Sequence, residues 1–329
     1  MLYPLKFVPI LKPVIWGGDA ICKFKNLQPH LDKIGESWEL SGVSDRISIV
    51  ANGHLKGKSL TELINSYGED LLGKPVMERY GTVFPLLIKF IDARQPLSVQ
   101  VHPNDELAKK RHNSLGKTEM WYVVDAAEDA YLYSGFKEEM NADTYVQSLN
   151  DDTFIHYLQQ HDVKRGDVFF LPAGRVHAIG SGCFIAEIQQ TSDITYRIYD
   201  YNRRDADDRP RELHTEWAKE AIDYKVYSNY KTDYLREKGG RHRWALVRCG
   251  YFCTNLVTGE TVQLTYSHEA FVIFICLKGK VTVTDNSRQP VMLTQGETVL
   301  IPAANIDFLQ LEFSDGGQLL ETYIEQDTP

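Results

Sequence analysis

The sequence predicts a mainly β fold made of two related units, with a few helices inserted in and around the first. Three observations carry this. Tyrosine is plentiful (18 residues) and glycine moderate (23), a balance that suits pleated strands better than packed helices. Period-two alternation of apolar and polar residues recurs, as in Ile34 to Ser41 and again in 97–102. A pattern also appears twice. Gly166-x5-Pro172-x-Gly174-x2-His177 is echoed by Gly296-x5-Pro302-x-Ala304-x2-Asp307.

The elements follow in chain order. Residues 1–57 read as short strands and irregular segments, with a turn at Trp16-Gly17-Gly18, and both Trp16 and Trp38 are expected in the core. Residues 58–80 read as helical, opened by a capping box of Ser59 and Glu62. The segment 95–103 reads as a strand with Ser98, Gln100 and His102 on one face and Leu97, Val99 and Val101 on the other. Residues 103–111 read as a short helix with an Asn or Asp cap, and 119–124 as a strand. Residues 137–162, rich in Glu, Gln, Asp and Leu, read as helical. Strands return from Gly166 through Tyr201, followed by a helix around Glu216 to Ala221. The charged stretch from Tyr230 to Arg243, with Gly239-Gly240, is the expected linker. Short strands fill the rest.

Glu119 stands before an apolar strand much as Glu269 does in the second unit. It lies 47 residues before Gly166, whereas Glu269 lies 27 before Gly296, so the first unit carries an insertion the size of the helical segment. The expected organisation is a domain at 1–235 holding the site and the helices, and a domain at 236–329 without a site.

Composition narrows the partners. The net charge of −9 argues against nucleic acid or an anionic membrane. Five cysteines without a CxxC pair point to free thiols in a reducing compartment. The start of the chain lacks an apolar leader, no apolar run approaches a membrane span, and no Asn-x-Ser/Thr acceptor occurs. A cytoplasmic protein is expected, as a monomer or weak homodimer.

The repeated pattern resembles the second motif of the cupins, small double-sheet jelly-roll barrels in which the closing histidine binds a metal. The resemblance implies two cupin-like barrels, the first with His177 as a ligand. The second, with Asp307 there and no matching His-x-His upstream, implies no metal. In the first unit Gln100, His102, Glu119 and His177 then form a set. Two imidazoles and a carboxylate suit catalytic zinc, and an amide oxygen does not favour a redox metal. A carboxylate opening an apolar strand also needs a cation, because an unpaired buried charge costs several kcal/mol.

A more specific likeness covers nearly the whole chain. Gln95-Pro-Leu-Ser-Val-Gln-Val-His-Pro-Asn104, Gly116-Lys-Thr-Glu119, Pro172-Ala-Gly-Arg-Val-His177 and Asp193-Ile-Thr-Tyr-Arg197 resemble the type I mannose-6-phosphate isomerases. They are most similar to the short bacterial form of that family, as are Trp16-Gly17-Gly18 and 35–39. The resemblance implies one zinc ion per chain on Gln100, His102, Glu119 and His177, and an active-site arginine at Arg197. It implies a sugar phosphate substrate and exchange between mannose 6-phosphate and fructose 6-phosphate through an enediol(ate). No redox cofactor is needed, and Gly180-Ser-Gly182 lacks the third glycine of a dinucleotide fingerprint.

The residues themselves suggest further roles. Asp193, Thr195, Arg197 and Tyr199 alternate onto one face of a strand, which assigns Arg197 to the substrate. Lys117 and Asp193 are the candidates for moving the proton. Ser98, on the metal-facing side of its strand, and Lys89 are the candidates for the phosphate. The alternatives are a metal-dependent cupin oxygenase and a catalytically inactive sugar-binding cupin.

Overall fold

The computed structural model describes residues 1–29, 31–204, 208–234, 242–267 and 269–325, and among these the fold is mainly β, in three antiparallel sheets. Six strands make the first sheet, in the order Ile10–Gly18, Ile34–Ser41, Leu86–Ala93, Cys183–Gln190, Glu119–Ala126 and Val168–Leu171. Five make the second: Tyr196–Tyr199, Val99–Val101, His177–Ile179, Tyr131–Phe136 and Leu158–Asp162. These two sheets face one another. Ile91, Trp121, Phe169 and Ile185 from the first join Leu132 and Ile179 from the second in one buried apolar cluster, together with Leu97, which precedes the strand Val99–Val101 and so does not share the outer face of Val99 and Val101 as the alternation expects. The outer face of the second sheet is covered by helices Ala142–Asn150 and Thr215–Ala221, whose Tyr145 and Ala218 pack on Val99, Val101 and Tyr196.

The other face of the six-stranded sheet presents Ile88, Phe90, Met120, Tyr122 and Ile188, which pack with Leu256, Phe271, Ile273 and Leu320. Those residues belong to or flank the third sheet, of eight strands, which includes Arg243–Arg248, Cys253–Thr258, Val272–Thr284, Thr298–Ile301 and Leu309–Tyr323. The N-terminal strand Leu5–Lys6 joins the same sheet, Leu5 pairing with Leu300. The expected linker lies partly, and the expected boundary between 235 and 236 wholly, outside the described residues.

The internal echo has a structural counterpart. Gly166 and Gly296 both take positive φ (+89° and +84°), a conformation that favours glycine, ahead of the strands Val168–Leu171 and Thr298–Ile301. Each strand pairs with the one that opens at Glu119 or Val272, and the next neighbours are Cys183–Gln190 and Leu309–Tyr323. The register corrects one expectation. Glu119 pairs with Leu171 and Val272 with Ile301, so the counterpart of Glu119 is Val272 and not Glu269, which is exposed. The second unit puts an apolar side chain where the first has its carboxylate.

Two other expectations are modified. The run 58–80 forms three helices, Leu60–Tyr67, Glu69–Leu72 and Lys74–Tyr80. The capping box of Ser59 and Glu62 is present, but Gly73 at φ +91° breaks the run where a Cβ would meet Glu269 O at 1.7 Å. In 137–162 only Ala142–Asn150 is α-helical, and Leu158–Asp162 is a strand on the edge of the five-stranded sheet. Its helix-like composition yields to pairing with Tyr131–Phe136, a tertiary contact that local propensity does not report.

Candidate metal centre and active site

The site forms between the two facing sheets, and its positions follow from strand register. Gln100 pairs with His177 on one side and with Arg197 on the other, so the three side chains stand in a row across the five-stranded sheet. Glu119 reaches the same point from the opposing sheet. His102 and His177 are buried, with ring centroids 4.8 Å apart.

Both imidazoles are held in one tautomer. His102 Nδ1 donates to Ile194 O at 2.9 Å and His177 Nδ1 to Arg175 O at 2.8 Å, because a carbonyl can only accept. Each Nε2 lone pair therefore points inward. His102 Nε2 lies 3.5 Å from Glu119 Oε2, and His177 Nε2 lies 3.4 Å from Glu119 Oε1. Burial, and next the positive charge of Lys117, push the pKa of His102 well down and that of His177 to about 3. Neutral imidazoles with a fixed Nδ1–H are the form in which histidine binds a metal.

The donor set fits a metal ion. One ligand atom from each of His102, Glu119 and His177 lies within 4.8 Å of the others, and Glu119 Oε1 is buried without a hydrogen-bond partner. Gln100 stands beside them with Nε2 3.3 Å from His177 Nε2. A half-turn of its amide would present the oxygen instead. Lys117 Nζ lies 3.0 Å from His102 Nε2 and 2.5 Å from Glu119 Oε2.

Of this cluster, Gln100 and Lys117 border an open cavity of about 340 Å³, lined also by Ser98, Asp193, Thr195 and Arg197 among others. Every residue singled out for substrate or proton chemistry thus borders one space, Lys89 included. Tyr199, expected on the same strand face as Arg197, does not border it. A register shift after Arg197 takes it out of the row, and it packs instead with the outer cluster under the helices. The strand itself begins only at Tyr196, so Asp193 and Thr195 reach the cavity from the preceding loop.

The chain matches the family model of the phosphomannose isomerase type I catalytic domain over residues 5–150. It is 40% identical to mannose-6-phosphate isomerase ManA of Bacillus subtilis over 254 residues, 76% of this chain and 77% of that protein. The chain belongs to the mannose-6-phosphate isomerase family. The mannose-6-phosphate isomerase of Streptococcus mutans is 33% identical over 92% of this chain and 93% of its own length. A crystal structure of the Bacillus subtilis mannose 6-phosphate isomerase superposes with a TM-score of 0.88 at 29% identity, covering 98% of this chain and all of that one.

In this member of the family, two features of the site escape a sequence reading. Glu187 is buried in the strand Cys183–Gln190, where it accepts from Trp121 Nε1 at 2.9 Å and faces Lys89 Nζ at 3.2 Å. Against the cost of burial, Lys117 and then Lys89 hold its carboxyl below the usual range, while burial and the nearby Glu187 push Glu119 up. A lone acid inside the run Cys183-Phe-Ile-Ala-Glu-Ile is the same signal that marks Glu119. The second feature is the polar wall of Lys12, Glu36 and Trp38, where Glu36 Oε2 accepts from Trp38 Nε1 at 2.6 Å and pairs with Lys12 at 3.4 Å. Trp38 is buried as expected, yet it also lines the cavity.

Proposed function

We propose that this chain interconverts mannose 6-phosphate and fructose 6-phosphate through an enediol(ate), with one zinc ion held by Gln100, His102, Glu119 and His177. The observation that carries the reading is the convergence of His102, Glu119 and His177 beside Lys117, which borders the same cavity as Arg197. Two neutral imidazoles, one carboxylate and an amide oxygen match zinc better than a redox metal, and bound zinc would supply Lewis acidity at the substrate oxygens.

The chain's own residues do the rest. Exchange between aldose and ketose moves a proton between C2 and C1, and Lys117 Nζ, which borders the cavity, is the group assigned to carry it. Asp193 is the second candidate for that proton. Arg197 places a guanidinium near the oxygens where negative charge develops. Ser98 and Lys89 are assigned to the phosphate. The division into a domain at 1–235 that binds metal and one at 236–329 that does not, with cytoplasmic location and a monomer or weak dimer, completes the reading.

A coupled assay for fructose 6-phosphate formed from mannose 6-phosphate tests it. An inert protein with a full complement of zinc would point to the sugar-binding alternative. Oxygen uptake by the iron-loaded protein would point to the oxygenase.

A further inference from the structure

A chain of net charge −9 that takes a sugar phosphate must hold a dianion against its own field. Charge is unevenly distributed around the cavity. On the wall from the six-stranded sheet, Lys12 faces Glu36 at 3.4 Å and Lys89 faces Glu187 at 3.2 Å and Glu36 at 3.9 Å, so two carboxylates match the two cations. Lys117 is matched by Glu119. On the side of Arg197 the balance differs. Arg203 and Arg211 share a single buried carboxylate, Asp200, and among the described residues Arg197 forms no ion pair.

The geometry of this cluster is specific. Arg211 Nε donates to Asp200 Oδ2 at 2.7 Å and its Nη2 to Oδ1 at 2.5 Å, a two-pronged contact that fixes the plane of the guanidinium. Arg203 Nη2 also donates to Asp200 Oδ1, and its Nη1 donates to Pro96 O at 2.6 Å, just before Ser98. The segment that carries Arg211 is pinned to the Arg197 strand. His214 N donates to Arg197 O at 2.8 Å, and Arg197 N donates to His214 Nδ1 at 3.0 Å. Arg211 and Arg197 therefore line the same cavity although 14 residues separate them in sequence. Arg197 Nη1 donates to Glu212 O at 2.9 Å, while its Nε is buried without a partner. Burial, and next the charge of Arg211, hold the Arg197 guanidinium below its ordinary pKa, as expected where cations outnumber anions.

We propose that Arg211 is a further anion-binding guanidinium of this site, positioned by Asp200 to hold, with Ser98 and Lys89, the phosphate of the substrate, while the neighbouring Arg197 keeps the reacting oxygens. With Asp193 counted, Arg197, Arg203 and Arg211 still outnumber the carboxylates Asp193 and Asp200 on this side, so Arg211 adds positive charge to that of Lys89, which Glu187 offsets. With Nε and Nη2 of Arg211 turned to Asp200, its Nη1 keeps N–H donors for a phosphate, which a guanidinium suits because its donors lie in one plane. The inference rests on the isomerase reading for the identity of the substrate, and on the charge balance alone for the anion site.

The test is calorimetric titration of the zinc-loaded full chain with sorbitol 6-phosphate, which cannot isomerise, and with sorbitol. Removing a charge-assisted contact in Arg211→Met is expected to weaken sorbitol 6-phosphate binding about tenfold or more, with Arg211→Lys intermediate. Asp200→Asn, which loosens Arg211 without removing it, is expected to raise the KM for mannose 6-phosphate more than it lowers kcat, at unchanged zinc content. Affinities of Arg211→Met and Arg211→Lys both within about twofold of the parent would overturn the assignment. If Arg211→Met does not fold, Arg211→Lys decides. Binding of sorbitol 6-phosphate that depends on Arg211, in a parent chain that forms no fructose 6-phosphate, would refute the isomerase reading and keep the anion site. An active parent whose variants bind unchanged would do the reverse.

Discussion

Lys117 and Glu119, two residues apart in sequence, meet inside the molecule with Nζ 2.5 Å from Oε2. The pair joins two chemistries at one point, since Glu119 also faces both imidazoles while Lys117 borders the cavity. Lys117→Met is expected to keep its zinc, because the ligand set is intact, and to lose about 10² to 10⁴ in kcat with little change in KM. Steady-state kinetics with metal analysis of the same preparation checks this. A kcat within tenfold of the parent would remove Lys117 from the role of proton carrier and pass it to Asp193.

His177→Ala removes an inward-facing Nε2 and is expected to abolish both zinc retention and turnover. Asp307→Ala, at the matching place in the echoed pattern, alters an exposed group whose Oδ2 accepts from Asn286 Nδ2 at 3.2 Å. It should leave zinc and activity unchanged and stability within about 0.5 kcal/mol. Retained zinc in His177→Ala would sink the site assignment.

Glu187→Gln leaves Lys89 without its close carboxylate in a buried setting. Breaking a buried pair in this way is expected to cost roughly 3 kcal/mol in denaturant unfolding, together with a fall in activity. A loss below about 1 kcal/mol would mean that Glu36, 3.9 Å from Lys89 Nζ, suffices to compensate the cation.

Glu321 provides the contrast. By register it is the counterpart of Glu187, since Trp121 pairs with Glu187 and Phe274 with Glu321. Its Oε2 accepts from Arg243 Nε at 2.6 Å and Asn255 Nδ2 at 2.7 Å, and Oε1 accepts from Tyr266. The second unit thus satisfies its buried carboxylate internally. Glu321→Gln is expected to lower stability by roughly 3 kcal/mol without changing kcat or zinc content per folded molecule. A change in kcat would show that the second unit is coupled to the site.

Much of the centre was legible because its signals are local. A glutamine and a histidine at i and i+2 on one strand face, a glutamate opening an apolar strand, and a histidine closing a glycine–proline turn need no tertiary knowledge to be singled out. Arg211 was not legible. It reaches the cavity only because His214 pins a loop to the Arg197 strand and Asp200 turns the guanidinium. Tyr199 was misplaced because a bulge shifts the register after Arg197, and alternation carries no sign of a bulge. The composition of Leu158–Asp162 reads as helical because its edge pairing with Tyr131–Phe136 is a property of the fold and not of the segment. Order along the chain matches Glu269 to Glu119, whereas the pairing partners select Val272.

A metal held by Gln100, His102, Glu119 and His177 is expected to be required for isomerisation. The most direct measurement is fructose 6-phosphate formation by one preparation before chelation, after chelation with removal of the chelator, and after zinc is restored. Activity should disappear with the metal and return with stoichiometric zinc, one ion per chain. Full activity in a preparation shown by elemental analysis to be free of metal would contradict it.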